Sequence, residues 1–255
     1  MSWLKIFFNI FFYKPILNAL IFLTAVLPGH DLGLAVILLT VIIRALMFPM
    51  THKMLKTQNA MKIIEPEVKK IYADKKNKED QAKALMELYK KHGINPLSGF
   101  GMLLIQLPIL FAMYQVFLYG LPFPAGDVYS FLKIPENINT MFLGFISLTS
   151  ANVGLAALAA LSQFWQAKLA MPASPAGGPP KSASPAKGDL PDRQAGMAQA
   201  MQWQMLYIFP FIIFILGFKL PAAVSLYWTA MNVFAIVHEA RVRKKAKEAL
   251  SHAGG

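Results

Sequence analysis

The chain contains no cysteine. That absence excludes disulfides, thiolate metal ligands, a cysteine nucleophile and a lipidated amino-terminal cysteine. Charge is scarce too: 15% of the 255 residues are charged, against ~25% in ordinary soluble domains. Acids are scarcest, 13 Asp+Glu against 25 Lys+Arg, and none falls inside a long apolar run. Apolar residues are abundant: 56% of the chain is hydrophobic, and mean hydropathy is +0.45. A soluble fold of this length would leave too much of that surface in water, so the composition predicts an integral membrane protein. A cleavable signal peptide is not expected. The first five residues are barely charged, and the apolar stretch after them is interrupted by Lys14-Pro15 and lacks a small-x-small cleavage site.

Along the chain, residues 1–30 are apolar and aromatic. Pro15 is expected to break or restart the helix. The run from Pro15 to Leu27 is then too short to cross ~30 Å of hydrocarbon. Interfacial helices are expected for 1–30, with a bent extra span as the alternative. A first span follows at 31–50, with Arg44 inside it and Pro49 near its end. Residues 51–96 are charged, and a second span covers 97–119. The loop 120–150 contains an ambiguous apolar piece, Met141 to Leu148, that either extends the next span or lies along the interface. A third span is placed at 151–168. Residues 169–202 are rich in Pro, Gly, Ser and Ala and read as a flexible loop. Two short spans, 203–220 and 221–238, meet at Pro221, and a basic tail fills 239–255. The fold expected is an all-α membrane protein, a five-transmembrane-helix core with a cytoplasmic helical hairpin. The loop 51–96 is net +5, the loop 169–202 net +1 and the tail net +3, whereas 120–140 is net −1. The positive-inside rule then places the C-terminus in the cytoplasm and the N-terminus outside.

Within 51–96, Met54, Thr57, Met61, Ile64, Val68 and Ile71 recur at 3–4 spacing, a coiled-coil seam. Asp74 to Asp80 reads as the turn. A return helix carries Ala82, Leu85, Met86, Tyr89 and His92 on one face, with Gly93 as its C-cap and Pro96 beyond. Met54, Met61 and Met86 with Lys69 and Lys70 form the expected docking surface, since flexible methionines suit varied apolar partners. Ordinary core filling and a solvated lysine face are the plainer readings.

Arg44 is the one charge inside the first span. A central arginine costs ~2.5–3.5 kcal/mol on insertion scales, so it needs water, a partner, or a short path to the interface. Thr40 lies one turn before it on the same face. Ser225, Trp228, Thr229 and Asn232 form a polar-aromatic stripe on the last span. Gln106 sits mid-span in the second helix, and Ser162, Gln163 and Gln166 sit in the third. With no intramembrane acid available, Arg44 points to a water-filled cavity lined by Thr, Ser, Gln and Asn, which would attract an acidic incoming segment. Hydrogen bonding between helices is the alternative use of the stripe and of Gln106.

Five segments carry a resemblance in order: GLAVILLTVIIRALMFPM (33–50), IIEPEVKKIY (63–72), INPLSGFGMLLIQLPILFAMYQVF (94–117), LSQFWQAKLAM (161–171) and FPFIIFILGFKLPAAVSLYWTAMN (209–232). Together they resemble the YidC/Oxa/Alb family of membrane protein insertases over nearly all of residues 30–240. The resemblance implies five core helices around a hydrophilic groove open to cytoplasm and lipid. Arg44 corresponds to the family's groove arginine. Thr40, Tyr227 and Trp228 correspond to substrate-contacting positions, and Gln166 to a polar groove position. Gln106 and Asn232 complete the expected groove set.

The expected function is a membrane protein insertase and chaperone, not an enzyme, in the inner (plasma) membrane. The expected partners are nascent membrane proteins, the ribosome and membrane lipids, with Sec-translocon dependence left open. No cofactor, metal or specific nucleic-acid site is expected, and GGPPKS (177–182) is not a phosphate loop. A small solute or ion channel or transporter is the rival, although intramembrane carboxylates and repeats are missing. An intramembrane enzyme finds no HExxH, paired carboxylates or Ser/His arrangement at membrane depth.

Overall fold

The computed structural model describes residues 3–74, 78–93, 98–119, 123–170 and 203–253. Its main elements are helices α1 (Trp3–Val26), α2 (Leu32–Leu46), α3 (Phe48–Ile63), α4 (Glu65–Asp74), α5 (Lys78–Lys91) and α6 (Ser98–Tyr119). A hairpin of two-residue strands follows, β1 (Met141–Phe142) and β2 (Ile146–Ser147). Helices α7 (Val153–Ala170), α8 (Gln204–Gly217) and α9 (Ala222–Ala253) complete the chain.

Pro15 does not break α1. A π turn at Asn9–Tyr13 precedes it, closed by the Lys14 N–H on the Asn9 carbonyl. A helical proline lacks its N–H and collides with the carbonyl four residues back, and widening the preceding turn relieves both problems. Pro210 in α8 is absorbed the same way, by a π turn at Gln204–Ile208. The result is a 24-residue apolar helix long enough to cross a membrane, where the proline signal had suggested a run of about half that length. Pro49 acts differently. The first span ends at Leu46, and α3 leaves at 65°. The Thr51 hydroxyl, 3.1 Å from the Met47 and Phe48 carbonyls, bonds at the bend.

The apolar core joins one face of α1 (Leu17, Leu20, Ile21) to α2 (Leu32, Ala35, Val36), α6 (Ala112, Met113, Val116) and the start of α9 (Ala222 to Tyr227). Helices α7 and α8 pack closely where a Cβ on Gly217 would collide with Ala156.

The segment 123–152 fastens one end of this bundle. Leu32 N donates to Asn139 O, and Asn139 N to His30 O. Ala222 N donates to Ser150 O, and Ala223 N to Leu148 O. Asp31 caps α2 through Gly33 N and Leu34 N, and Asn152 caps α7 through Leu155 N. Met141 to Leu148 therefore does not extend the helix that follows it. It folds as the β hairpin, with Phe142 packed against Gly33 so closely that a Cβ there would enter the ring. The same loop holds α1: Lys14 Nζ lies 3.2 Å from Asp127 Oδ1, Asn18 Nδ2 donates to Asp127 O, and Tyr129 N donates to Asn18 Oδ1.

The charged segment is helical in three pieces, with Ile64 at the break between α3 and α4. Met61, Ile64, Val68 and Ile71 cluster with Leu88 and Tyr89, so the second half of the predicted seam is packed, while Met54 and Thr57 lie outside this cluster. On the return helix Leu88 is buried, whereas Met86 is exposed. Gly93 takes a positive φ of 62°, its N–H on the Lys90 carbonyl, as a C-cap requires. The tail is not separate from the last span, for α9 runs on to Ala253. The loop residues 171–202 lie outside the described residues.

Candidate functional site

Three helices bring the polar residues together: α2, α7 and α9. On α2, Val36, Thr40 and Arg44 follow at one-turn spacing. The Thr40 hydroxyl donates to the Val36 carbonyl at 2.7 Å, which leaves its lone pairs as acceptors. Arg44 is 6% exposed. Among the described residues no carboxylate lies in ion-pair contact with it. The Tyr227 phenol on α9 is within electrostatic reach.

The α9 stripe meets α7. Trp228 Nε1 donates to Gln163 Oε1 at 2.8 Å, and Gln163 Nε2 lies 3.4 Å from Gln166 Oε1. One turn on, Asn232 Nδ2 donates to Ser162 Oγ at 3.1 Å, and that hydroxyl donates to the Ala159 carbonyl. Thr229 donates to the Ser225 carbonyl. The stripe therefore spends much of its bonding between helices, while Gln166 stays partly exposed at the end of the network.

A pocket of about 30 Å³ lies beside Arg44, lined by Thr51, Gln166, His238 and Glu239 among others. About one water fits such a space. Glu239 corrects one expectation in part. The sequence offers no acid within the apolar runs, yet this carboxylate, one residue past the expected span end, is only 2% exposed and lines the same pocket. It is engaged by Arg243 at 2.8 Å.

Arg44, Thr40, Gln166, Tyr227, Trp228 and Asn232 thus lie on three helices, of which α9 packs against both α2 and α7. The backbone of Gln106 is in α6, and its side chain lies outside the described residues. The docking set is dispersed. Met54 is buried, Met61 packs in the hairpin seam and Met86 is 62% exposed. Lys69 is paired with Glu65 at 2.7 Å, and Lys70 is exposed. Sequence reasoning registered Ser162 and Gln163 only as polar neighbours of Gln166. Their spacing to Trp228 and Asn232 is set by the α7–α9 packing, which no local pattern encodes. Among the described residues, no group of three or more His, Asp or Glu is placed to hold a metal ion.

A family profile described as 60Kd inner membrane protein matches residues 22–249. The chain is 32% identical over 254 residues to membrane protein insertase YidC 2 of Bacillus anthracis, covering 97% of this chain and 85% of that one. It is 32% identical over 227 residues to membrane protein insertase MisCA of Bacillus subtilis (strain 168), covering 86% and 73%. A solved structure, an active YidC insertase with the first transmembrane domain resolved, superposes with a TM-score of 0.53 at 22% identity. The match covers 93% of this chain and 46% of that one, and it supports the fold.

Proposed function

The chain belongs to the 60Kd inner membrane protein (YidC) family of membrane protein insertases, and from that premise we propose how its own residues do the work. It is an insertase of the inner membrane, and nascent membrane proteins are its substrates. The polar flank of an arriving segment enters between α2, α7 and α9. Arg44 attracts acidic residues of that flank, Thr40 and Gln166 offer it hydrogen-bonding groups, and the apolar segment passes Tyr227 and Trp228 into lipid. Burial in lipid drives the step, so no nucleotide is needed. The observation that carries this reading is Arg44 itself. It is a cation buried among apolar helices with no acid in ion-pair contact among the described residues, a costly arrangement that an acidic segment would relieve.

Helix lengths support a locally thinned path. At ~1.5 Å per residue, α2 reaches ~22 Å and α8 ~21 Å, short of ~30 Å of hydrocarbon. The topology proposed has the loop 120–150 outside, with the hairpin α4–α5 and the end of α9 in the cytoplasm. Helix α1 then lies along the outer face, because Lys14 and Asn18 in its middle and His30 beyond its end are all fastened to that one loop. A straight span would carry Lys14 about 18 Å below Val26. The exposed hairpin residues Met86 and Lys70 are the first contact for ribosome or nascent chain, with Sec dependence a separate question.

The test is insertion into liposomes of a single-span protein with a short acidic N-terminal tail, read by protease protection. Wild type protects the tail and Arg44→Ala does not, while Arg44→Lys keeps part of the activity. Full protection with Arg44→Ala removes the arginine from the mechanism.

A further inference from the structure

The turn of the β hairpin departs from the residue preference of its own geometry. Phe145 N donates to the Phe142 carbonyl, and the two residues between them, Leu143 and Gly144, have φ of 55° and 81°. A turn with positive φ at both central positions is ordinarily filled by Gly, Asn or Asp. Gly144 fits. Leu143 does not: its Cβ is crowded in the left-handed region, and its side chain has no polar group to bond the backbone there.

The tip is also apolar and uncovered. Leu143 is 60% exposed and Phe145 70%, and Met141 is exposed beside them. Phe142 is buried against Gly33, so the hairpin is seated on the first turn of α2 while its tip stands free. What covers the tip follows from what lies beside it. From that first turn onward, Leu34, Leu38, Val41 and Ile42 form one exposed apolar face of α2. In a membrane protein such a face meets acyl chains. The hairpin continues that face at its end, and the surrounding sequence is uncharged from Asn137 to Ala167. An exposed apolar patch continuous with a lipid-facing surface, and without charge, matches lipid.

We propose that the hairpin tip is a membrane anchor, with Leu143 and Phe145 entering the acyl region of the leaflet beside the start of α2. The leucine at a left-handed position then has its reason in the membrane, where an asparagine would serve the turn and lose the contact. The segment 123–152, which fastens α1, α2 and α9, is thereby pinned at the depth of the interface. That this leaflet is the outer one rests on the topology proposed above.

Because the chain lacks cysteine, a nitroxide on Phe145→Cys or on Glu136→Cys reports a single place in the full chain, reconstituted in phosphatidylcholine and phosphatidylglycerol liposomes. Oxygen collects among acyl chains and a water-soluble nickel chelate, present on both sides, stays in water. Collisions with oxygen prevail at position 145 and collisions with the chelate at position 136, although both carry the same label. Leu143→Asn in the chain labelled at 145 keeps or raises the unfolding temperature in detergent, because Asn suits the turn, and shifts the reading at 145 toward that at 136. A water reading at 145 with Leu143 present overturns the proposal, as does a lipid reading that Leu143→Asn leaves unchanged. A lower unfolding temperature in Leu143→Asn would make the leucine a residue of the fold and overturns it too. Shielding of position 145 from both reagents would give the tip to a second copy of the chain instead. Neither insertion activity nor the side of the membrane enters the readout, so failure of the groove mechanism or of the topology leaves the result intact.

Discussion

The indole N–H of Trp228 on α9 bonds the amide oxygen of Gln163 on α7 at 2.8 Å. Both residues lie on faces that the sequence marks as polar at membrane depth, and the bond ties the two helices that flank Arg44. Its energetic weight is modest, because the membrane-embedded reference state finds other partners. Trp228→Phe and Gln163→Leu, made singly and together, should show a coupling of about 0.6 kcal/mol, at most ~1.7. Reversible unfolding in mixed micelles measures it. A coupling of zero would mean that the two side chains meet without holding the helices.

Gly217 is where α8 approaches α7. A Cβ there meets both the Cβ and the backbone Cα of Ala156, and backbone cannot swing aside. Gly217→Ala should destabilise by about 1–3 kcal/mol through overpacking, read as a lower unfolding temperature in detergent. Ala156→Gly in the same background should recover part of the loss, since it removes the nearer of the two obstacles. A neutral Gly217→Ala would show that α7 and α8 are free to separate.

Asn18 and Lys14 both bind the segment around Asp127, with unequal expected weights. Asn18 is buried, and its amide serves the Asp127 carbonyl and the Tyr129 N–H at once. Asn18→Ala removes both bonds, which are only part-buried, and should cost about 1 kcal/mol. The Lys14–Asp127 pair keeps about a third of each side chain in solvent, so Lys14→Met should cost below ~1 kcal/mol. Hydrogen exchange at the Tyr129 amide checks the ordering: it quickens in the first variant and stays near wild type in the second.

Local rules worked where the chain obeys them. The 3–4 spacing from Met61 to Ile71 forms the seam it predicts, and Gly93 caps α5 with the left-handed φ that its position needs. The face shared by Thr40 and Arg44 follows from one turn of helix. Most of the misreadings come from distant contacts that outrank local signals, and one from a local adjustment of the helix. Pro15 looks like a break until the preceding turn widens to accommodate it. Met141 to Leu148 is apolar, yet it pairs as strands because Phe142 is held on Gly33 and Leu148 on Ala223. Met54 resembles a docking residue by type but is buried. Glu239 reaches the Arg44 pocket from 195 residues away, across packing that no periodicity reports.

The absence of cysteine makes the topology open to a clean test. Single-cysteine variants Trp3→Cys, Val26→Cys and His252→Cys each carry one thiol, so a membrane-impermeant maleimide added to intact cells labels only positions that face outward. If α1 lies along the outer face, positions 3 and 26 both react and position 252 reacts only after permeabilisation. If α1 crosses the membrane, position 3 changes sides and reacts only after permeabilisation, as position 252 does. The helix is long enough for either arrangement. The attachment of Lys14, Asn18 and His30 to one loop is what favours the first, because a loop on one side of a bilayer cannot also fasten a residue at its midplane. Asn18→Ala supplies the control. If loosening that attachment leaves position 3 labelled from outside, the apolar face of α1 is sufficient to hold it in the interface. If labelling at position 3 is lost in that variant, the loop contacts are what keep α1 from crossing.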